Sequence, residues 1–282
     1  MGLTTILLSG FFAGLVAILI TVVVEKYGGL VGGIIGTVPT TIIPAAIGFY
    51  LESSDQEASM SLAVVPFGML INAVFLLCWI IFPKFFGKYY DEKKTLLLTT
   101  FFGLIVWMIL GITMLSLVEI AIQKGITSFQ LGFIGLFLFT ILGIASSWTP
   151  REAPRGENEV SKSVLFFRGI AAATFIGLAV LISSLDYPLL AGLVSVFPAI
   201  FLTSMIALWI SQGPSVPIGA TGPMMLGAIS VAIYALIAMW ALPAMGYLWG
   251  SIIGWLISTI IWSTPAYFYL KRKHSKYFPI EV

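Results

Sequence analysis

Hydrophobic residues occur along the chain in long runs that short polar stretches separate. A run of about 20 predominantly apolar residues is long enough to cross a bilayer as an α-helix. The runs are expected to be helices because a backbone exposed to lipid has no water to form hydrogen bonds with. They are also too long for the strands of a β-barrel. The pattern predicts nine membrane-spanning helices, at residues 3–24, 29–51, 59–82, 95–118, 129–147, 164–185, 189–211, 217–240 and 247–270.

The composition places the chain in the membrane class. Its 282 residues are 59% hydrophobic and 9% charged, which is more apolar surface than a soluble core uses. The net charge of +2 is too small to suggest nucleic acid, so the expected partner is the lipid bilayer. Cys78 and His274 are the single cysteine and histidine. We therefore expect no intramolecular disulfide, no zinc or haem site and no cofactor.

The basic residues predict an orientation. If nine helices alternate across the membrane, Lys124 lies on one side and the other 13 of the 14 Lys and Arg residues lie on the opposite side. Basic loops stay in the cytoplasm, so we expect an integral protein of the cell membrane with its N-terminus outside and its C-terminus inside. The residues assigned to the cytoplasmic side are Lys26, Lys84, Lys88, Lys93, Lys94, Arg151, Arg155, Lys162, Arg168, Lys271, Arg272, Lys273 and Lys276.

Two predicted helices carry helix-breaking residues near their centres. The second contains several glycines followed by Pro39, and the seventh contains Gly192 followed by Pro198. A proline inside a helix removes the bond to the carbonyl four residues earlier, here Ile35 and Val194. Nearby hydroxyls can satisfy such a carbonyl; if the helix is broken, its free carbonyls suit a cation and its free N–H groups suit an anion. The alternative interpretation is a simple packed kink.

Asn72 has a side-chain amide that lies well inside a predicted span. Exposing this polar group to lipid would cost free energy. An inter-helix hydrogen bond and a ligand contact both account for it. Together with the two breaks it defines a hypothetical substrate site at the bilayer midplane between two halves. The candidate substrate-binding residues are Thr37, Pro39, Thr40, Thr41, Asn72, Ser195 and Pro198.

The order of features in the first four spans recurs in the last four, which predicts an internal duplication. Because an odd number of spans separates the two starts, the halves enter the membrane from opposite sides as inverted repeats. The predicted fold is an all-α polytopic membrane protein of about nine helices, with two inverted four-helix repeats joined by a linker helix. Its parts are the first repeat at 1–122, a linker helix with a polar cytoplasmic loop at 123–163, the second repeat at 164–270 and a basic cytoplasmic tail at 271–282.

Tryptophans and glycines add predictions about the surfaces of the helices. Trp79, Trp148, Trp209 and Trp240 fall near span ends, where tryptophan is typical of the membrane interface. Gly10 and Gly14 have the small-xxx-small spacing that lets two helix backbones approach closely.

The second break resembles a known family. Residues 190–198, followed by Ser211-Gln212-Gly213, are similar to the GlpM-like family of small four-span membrane proteins, over about 164–273. The first half, with Pro39-Thr40-Thr41, looks like the same unit over 3–118. The resemblance implies that single units pair and that this chain fuses two of them through its fifth span. The resemblance assigns no catalytic or binding residues to this chain.

These patterns predict a transporter or channel-like protein for a small solute or ion. The alternative is a structural or accessory subunit of a membrane complex, and a homo-oligomer fits either role. No enzyme is expected, because the spans hold no buried His, no pair of Asp and no Ser–His or Ser–Lys arrangement at one depth.

Overall fold

The computed structural model describes residues 2–27, 38–149 and 162–277. The fold is 88% helical, without strands in those ranges, so the predicted all-α polytopic membrane class is confirmed. The first six helices are α1 Gly2–Tyr27, α2 Ile42–Glu52, α3 Asp55–Phe86, α4 Glu92–Gln123, α5 Ser128–Ser146 and α6 Lys162–Ser183. Then come α7 Pro188–Ser195, α8 Ala199–Gln212, α9 Ser215–Gly227, α10 Ile229–Met245, α11 Tyr247–Ser258, a π-helix Thr259–Ser263 and α12 Thr264–Tyr277.

Eight segments of the described chain are long and apolar enough to cross a membrane. The pairs α7–α8 and α9–α10 each form one such segment, as do α11, the π-helix and most of α12. The remaining predicted span, 29–51, is represented by the short apolar helix α2, and its first half lies outside the described residues.

The helices begin where the sequence supplies caps. The Ser54 hydroxyl accepts the backbone N–H of Glu57, whose carboxylate in turn accepts the N–H of Ser54, and this capping box starts α3. Thr127 and Gln130 form the same arrangement at the start of α5. Gly213 and Gly246, with φ of 83° and 79°, end α8 and α10 in a conformation that favours glycine. The polar turns therefore fix the ends of the membrane helices.

Two segments form the centre of the bundle. Within their most apolar windows, α3 and α9–α10 are each 78% buried, whereas the other candidate spans are between 22% and 39% buried. These central segments are the third span of the first predicted repeat and the corresponding span of the second. The outer helices α1, α4, α5, α6 and α11 present large apolar side chains outward, as expected of a surface in contact with lipid.

Close backbone contacts hold the bundle together. A Cβ added at Gly10 would lie 2.7 Å from the carbonyl oxygen of Ala173, and one at Gly14 would lie 2.8 Å from that of Gly169. The small-xxx-small spacing predicted on α1 therefore packs directly against α6. A Cβ at Gly192 would overlap the carbonyl oxygen of Ser61, so α7 is pressed onto α3 in the same way.

The four tryptophans predicted to form an aromatic belt differ in burial. Trp148 and Trp240 are 66% and 55% exposed at span ends, and their interfacial position stays a prediction. Trp79 and Trp209 are buried instead, with ring centroids 6.1 Å apart in an edge-to-face pair. The prediction failed for this pair because depth along a helix does not determine which face turns inward.

Candidate functional site

A small cavity of about 80 Å³ lies beside the break between α7 and α8. Its walls come from six places: residues 38–42 at the start of α2, the middle of α3, one face of α6, residues 195–197, the first turn of α8 and the start of α10. Most of the lining is apolar, and polar side chains enter from Thr41, Asn72 and Ser195. The volume is enough for a few water molecules or a small ion.

The two predicted breaks have the same backbone geometry at their prolines. The N–H of Thr40 donates to the carbonyl oxygen of Val38 over 2.7 Å, across Pro39. The N–H of Ala199 donates to the carbonyl oxygen of Phe197 over 2.7 Å, across Pro198. Bonds between residues two apart define γ-turns, so each proline is the central residue of a tight turn that precedes a helix. A broken helix is seen at Pro198, whereas the chain before Val38 lies outside the described residues. The repeat itself stays a prediction.

Helices α2 and α8 both start beside the cavity. Their N-cap residues, Thr41 and Pro198, make no side-chain capping bond. The first N–H groups of a helix have no acceptor within that helix. Ile42 and Ile200, in the first turns of α2 and α8, line the cavity.

Asn72 joins the centre of α3 to the second break. Its Nδ2 donates to the carbonyl oxygen of Val196 over 2.8 Å, and its Oδ1 accepts the indole N–H of Trp107 over 2.7 Å. The side chain is 2% exposed. The inter-helix hydrogen bond that the sequence suggested is therefore present, and the amide also forms part of the cavity wall.

A corresponding indole contact occurs in the second half. Trp262 Nε1 donates to the carbonyl oxygen of Leu226 over 2.7 Å, close to the junction of α9 and α10. In each half, then, a tryptophan of the last span donates to the middle of the central span. The acceptor is an amide side chain in the first half and a backbone carbonyl in the second.

Aromatic rings close one wall of the cavity. Phe197 stacks on Phe175 of α6 with ring centroids 3.7 Å apart and planes 12° apart. It also meets Trp107 edge-to-face, at 5.2 Å between centroids. Phe197 therefore fixes the second break between α4 and α6.

The structure brings together three of the predicted site residues. Thr41, Asn72 and Ser195 line the cavity. Pro39 and Pro198 are buried next to it in the two turns without lining it. Thr40 instead lines a separate recess between α1 and α2, with its hydroxyl 3.3 Å from the carbonyl oxygen of Val38. The prediction for Thr37 lies outside the described residues.

At the second break, the sequence predicted that Pro198 would leave the Val194 carbonyl without a helical partner. The structure leaves a different carbonyl, that of Val196, without one. The carbonyl of Val194 accepts the N–H of Phe197 over 3.0 Å, because the chain tightens into a shorter turn before Pro198. Ser195 donates to the carbonyl oxygen of Gly192 over 2.7 Å and does not satisfy Val194. It is the Val196 carbonyl that turns away from the helix and needs an outside donor, which Asn72 supplies.

The sequence did not predict the burial of Arg168. Its assignment to the cytoplasmic side stays a prediction, and its side chain is only 6% exposed within α6. Its Nε donates to the Thr203 hydroxyl over 3.2 Å, and its Nη2 donates to the Ser204 hydroxyl over 2.7 Å. The available signal was the Thr203-Ser204 pair, five and six residues after Pro198, a polar site within an otherwise apolar stretch.

Metal ligands are not gathered in the described part of the chain. Over 2–27, 38–149 and 162–277, no three His, Cys, Asp or Glu side chains are placed to hold a metal ion together. The polar groups at the cavity are hydroxyls, one amide and backbone groups. This donor set offers hydrogen bonds and partial charges, without a fixed ionic partner.

Comparison with known proteins relates the first half of the chain to a family. Residues 6–120 match the family described as "Protein of unknown function (DUF3147)". The match spans less than half of the chain and coincides with the first predicted repeat. No curated protein and no solved structure matches the chain at a significant level. The resemblance to GlpM-like proteins stays a prediction.

Proposed function

We propose that this membrane protein is a transporter or channel-like protein that binds a small solute or ion in the cavity at the second break. The observation that supports the proposal is the contact of Asn72 with the Val196 carbonyl on the cavity wall. An amide of the first half there meets an unwound backbone of the second. Broken helices that meet near the middle of the membrane are a common way to build a transport site.

The composition of the wall limits the solute. No charged side chain lines the cavity. A solute with several charges would find no counter-charge to offset the loss of its hydration. We therefore propose a small solute, neutral or carrying a single charge, that exchanges hydrogen bonds with hydroxyls and backbone groups.

The proposal includes an orientation and a symmetry. The distribution of Lys and Arg supports an extracellular N-terminus and a cytoplasmic C-terminus in the cell membrane. The equal burial of α3 and α9–α10 supports two inverted halves around one centre. In that arrangement, alternating access requires the halves to rock about the cavity, and a transport role is proposed rather than an enzymatic one.

A thermal-stability screen tests the proposal. The protein, purified in detergent, is heated with a panel of inorganic ions and small neutral solutes, and hits are followed by flux into proteoliposomes. We expect at least one solute to raise the melting temperature of the wild type. Asn72→Leu should lose that rise, whereas Thr140→Val, which alters a hydroxyl on α5 away from the cavity, should keep it. If no solute has an effect and other proteins co-purify, the accessory-subunit alternative replaces the proposal.

A further inference from the structure

The buried guanidinium of Arg168 connects α6 to α8. Among its acceptors are the hydroxyls of Thr203 and Ser204, which also donate back to their own helix. Thr203 donates to the Ala199 carbonyl over 2.7 Å, and Ser204 donates to the Ile200 carbonyl over 2.6 Å. Because each hydroxyl hydrogen is engaged within α8, each oxygen is free to accept from the arginine.

These contacts lie one helical turn from the cavity on both helices. On α6, Ala172 and Phe175 line the cavity and follow Arg168 by four and seven positions, so the three share one face. On α8, Ile200 lines the cavity, and Ser204 follows it by four positions. Arg168 and its acceptors therefore lie one turn beyond the cavity, toward the predicted cytoplasmic side.

The neighbouring helices differ in how they are fastened. Helix α6 is held to α1 through glycine contacts at Gly14 and Gly169, and α7 is held to α3 through Gly192. Helix α8 begins after the turn at Pro198, and hydrogen bonds from Arg168 to Thr203 and Ser204 join it to α6. Helix α8 is therefore held by apolar packing, which includes the Trp79–Trp209 pair, and in addition by polar contacts to α6.

We propose that Arg168, Thr203 and Ser204 form a latch that closes the cytoplasmic end of the cavity, and that α8 moves about residues 196–198 when the latch opens. The inference rests on the proposed transport function and gives that function its inner gate. A buried charge that is expensive to retain fits such a switch, because its hydrogen bonds hold one arrangement and can be exchanged for water in another.

Cysteine accessibility tests the latch without knowledge of the solute. In a Cys78→Ala background, Ala172→Cys places a thiol on the cavity wall. A membrane-impermeant cationic methanethiosulfonate is applied to inside-out and to right-side-out vesicles, and the rate of modification is measured. The latch is weakened with Thr203→Val plus Ser204→Ala, which leave Arg168 in place. Thr140→Val is the matched control, because Thr140 makes the same kind of bond, to the Leu136 carbonyl over 2.8 Å, on α5.

We expect the latch variant to be modified about tenfold faster from the cytoplasmic side, the effect expected for the loss of two intramembrane hydrogen bonds. The control should keep the wild-type rate, and modification from the outside should not change. Equal rates in the latch and control variants, or equal acceleration from both sides, would overturn the latch. If the latch variant is modified faster but no solute stabilises the protein, the latch is supported and the proposed function is contradicted. If a solute stabilises the protein but the latch variant is not modified faster, the proposed function is supported and the latch is contradicted.

Discussion

Asn72 Nδ2 lies 2.8 Å from the carbonyl oxygen of Val196, and these two residues are 124 positions apart in the chain. The bond ties the most buried helix of the first half to the break in the second half. It also explains why an amide lies deep in an apolar helix, since only a donor can satisfy the carbonyl and only an acceptor can satisfy the indole of Trp107.

Replacing Asn72 should therefore be costly. In Asn72→Leu the Val196 carbonyl and the Trp107 indole both lose their partners, and the free energy of unfolding should fall by about 2–4 kcal/mol. Trp107→Phe should cost less, because it leaves the bond to Val196 intact. Unfolding in mixed micelles, in a double-mutant cycle, should give a coupling of about 0.6–1.7 kcal/mol between the two residues. Additive single-mutant effects would contradict the network.

Glycine contacts predict a second stability difference. In Gly192→Ala the new methyl group would overlap the Ser61 carbonyl, so α7 must move off α3, at a cost of about 1–3 kcal/mol or more. Gly177→Ala is the control, because its Cβ would meet its nearest atom, the Ile6 carbonyl oxygen, at 3.7 Å. The melting temperatures of the two variants compare them directly. A stable Gly192→Ala protein would mean that α7 and α3 are farther apart than described.

The prolines at the two breaks predict a functional change with little unfolding. Pro39→Ala with Pro198→Ala restores the missing N–H donors and removes the rings that favour the two tight turns, so the helices α2 and α8 can extend toward their N-termini beside the cavity. Once a solute is identified, its flux into proteoliposomes should fall by about tenfold or more while the protein stays monodisperse. Pro83→Ala, in the last turn of α3, is the control. Undiminished flux in the double variant would remove the breaks from the site.

Much of the fold follows from periods and lengths that the sequence displays. Eight spans appear where apolar runs predict them, the helix breaks at Pro198, and a tight turn occurs at Pro39. Local chemistry determines these features, because a proline cannot donate and a long apolar helix must be buried in lipid or protein.

The candidate site could not be predicted in full from the sequence, because it depends on tertiary contacts that leave no local sequence pattern. Arg168 stands five residues into a predicted span, and only its packing against α8 shows that it is buried. Trp79 and Trp209 occupy the depth of an interfacial belt and yet face each other. The acceptor for Asn72 was likewise missed, because the turn before Pro198 freed the carbonyl of Val196 and not that of Val194.

The most direct test of two inverted halves meeting at one cavity is the sidedness of two equivalent turns. In a Cys78→Ala background, Gln56→Cys and Ser215→Cys place exposed thiols at the starts of α3 and α9, the central spans of the two halves. Each is treated with a membrane-impermeant maleimide from one face of the membrane at a time. Inverted repeats predict that residue 56 is modified from outside and residue 215 from the cytoplasm. Modification of both from the same face would contradict the inverted arrangement and, with it, the placement of the cavity between two opposed halves.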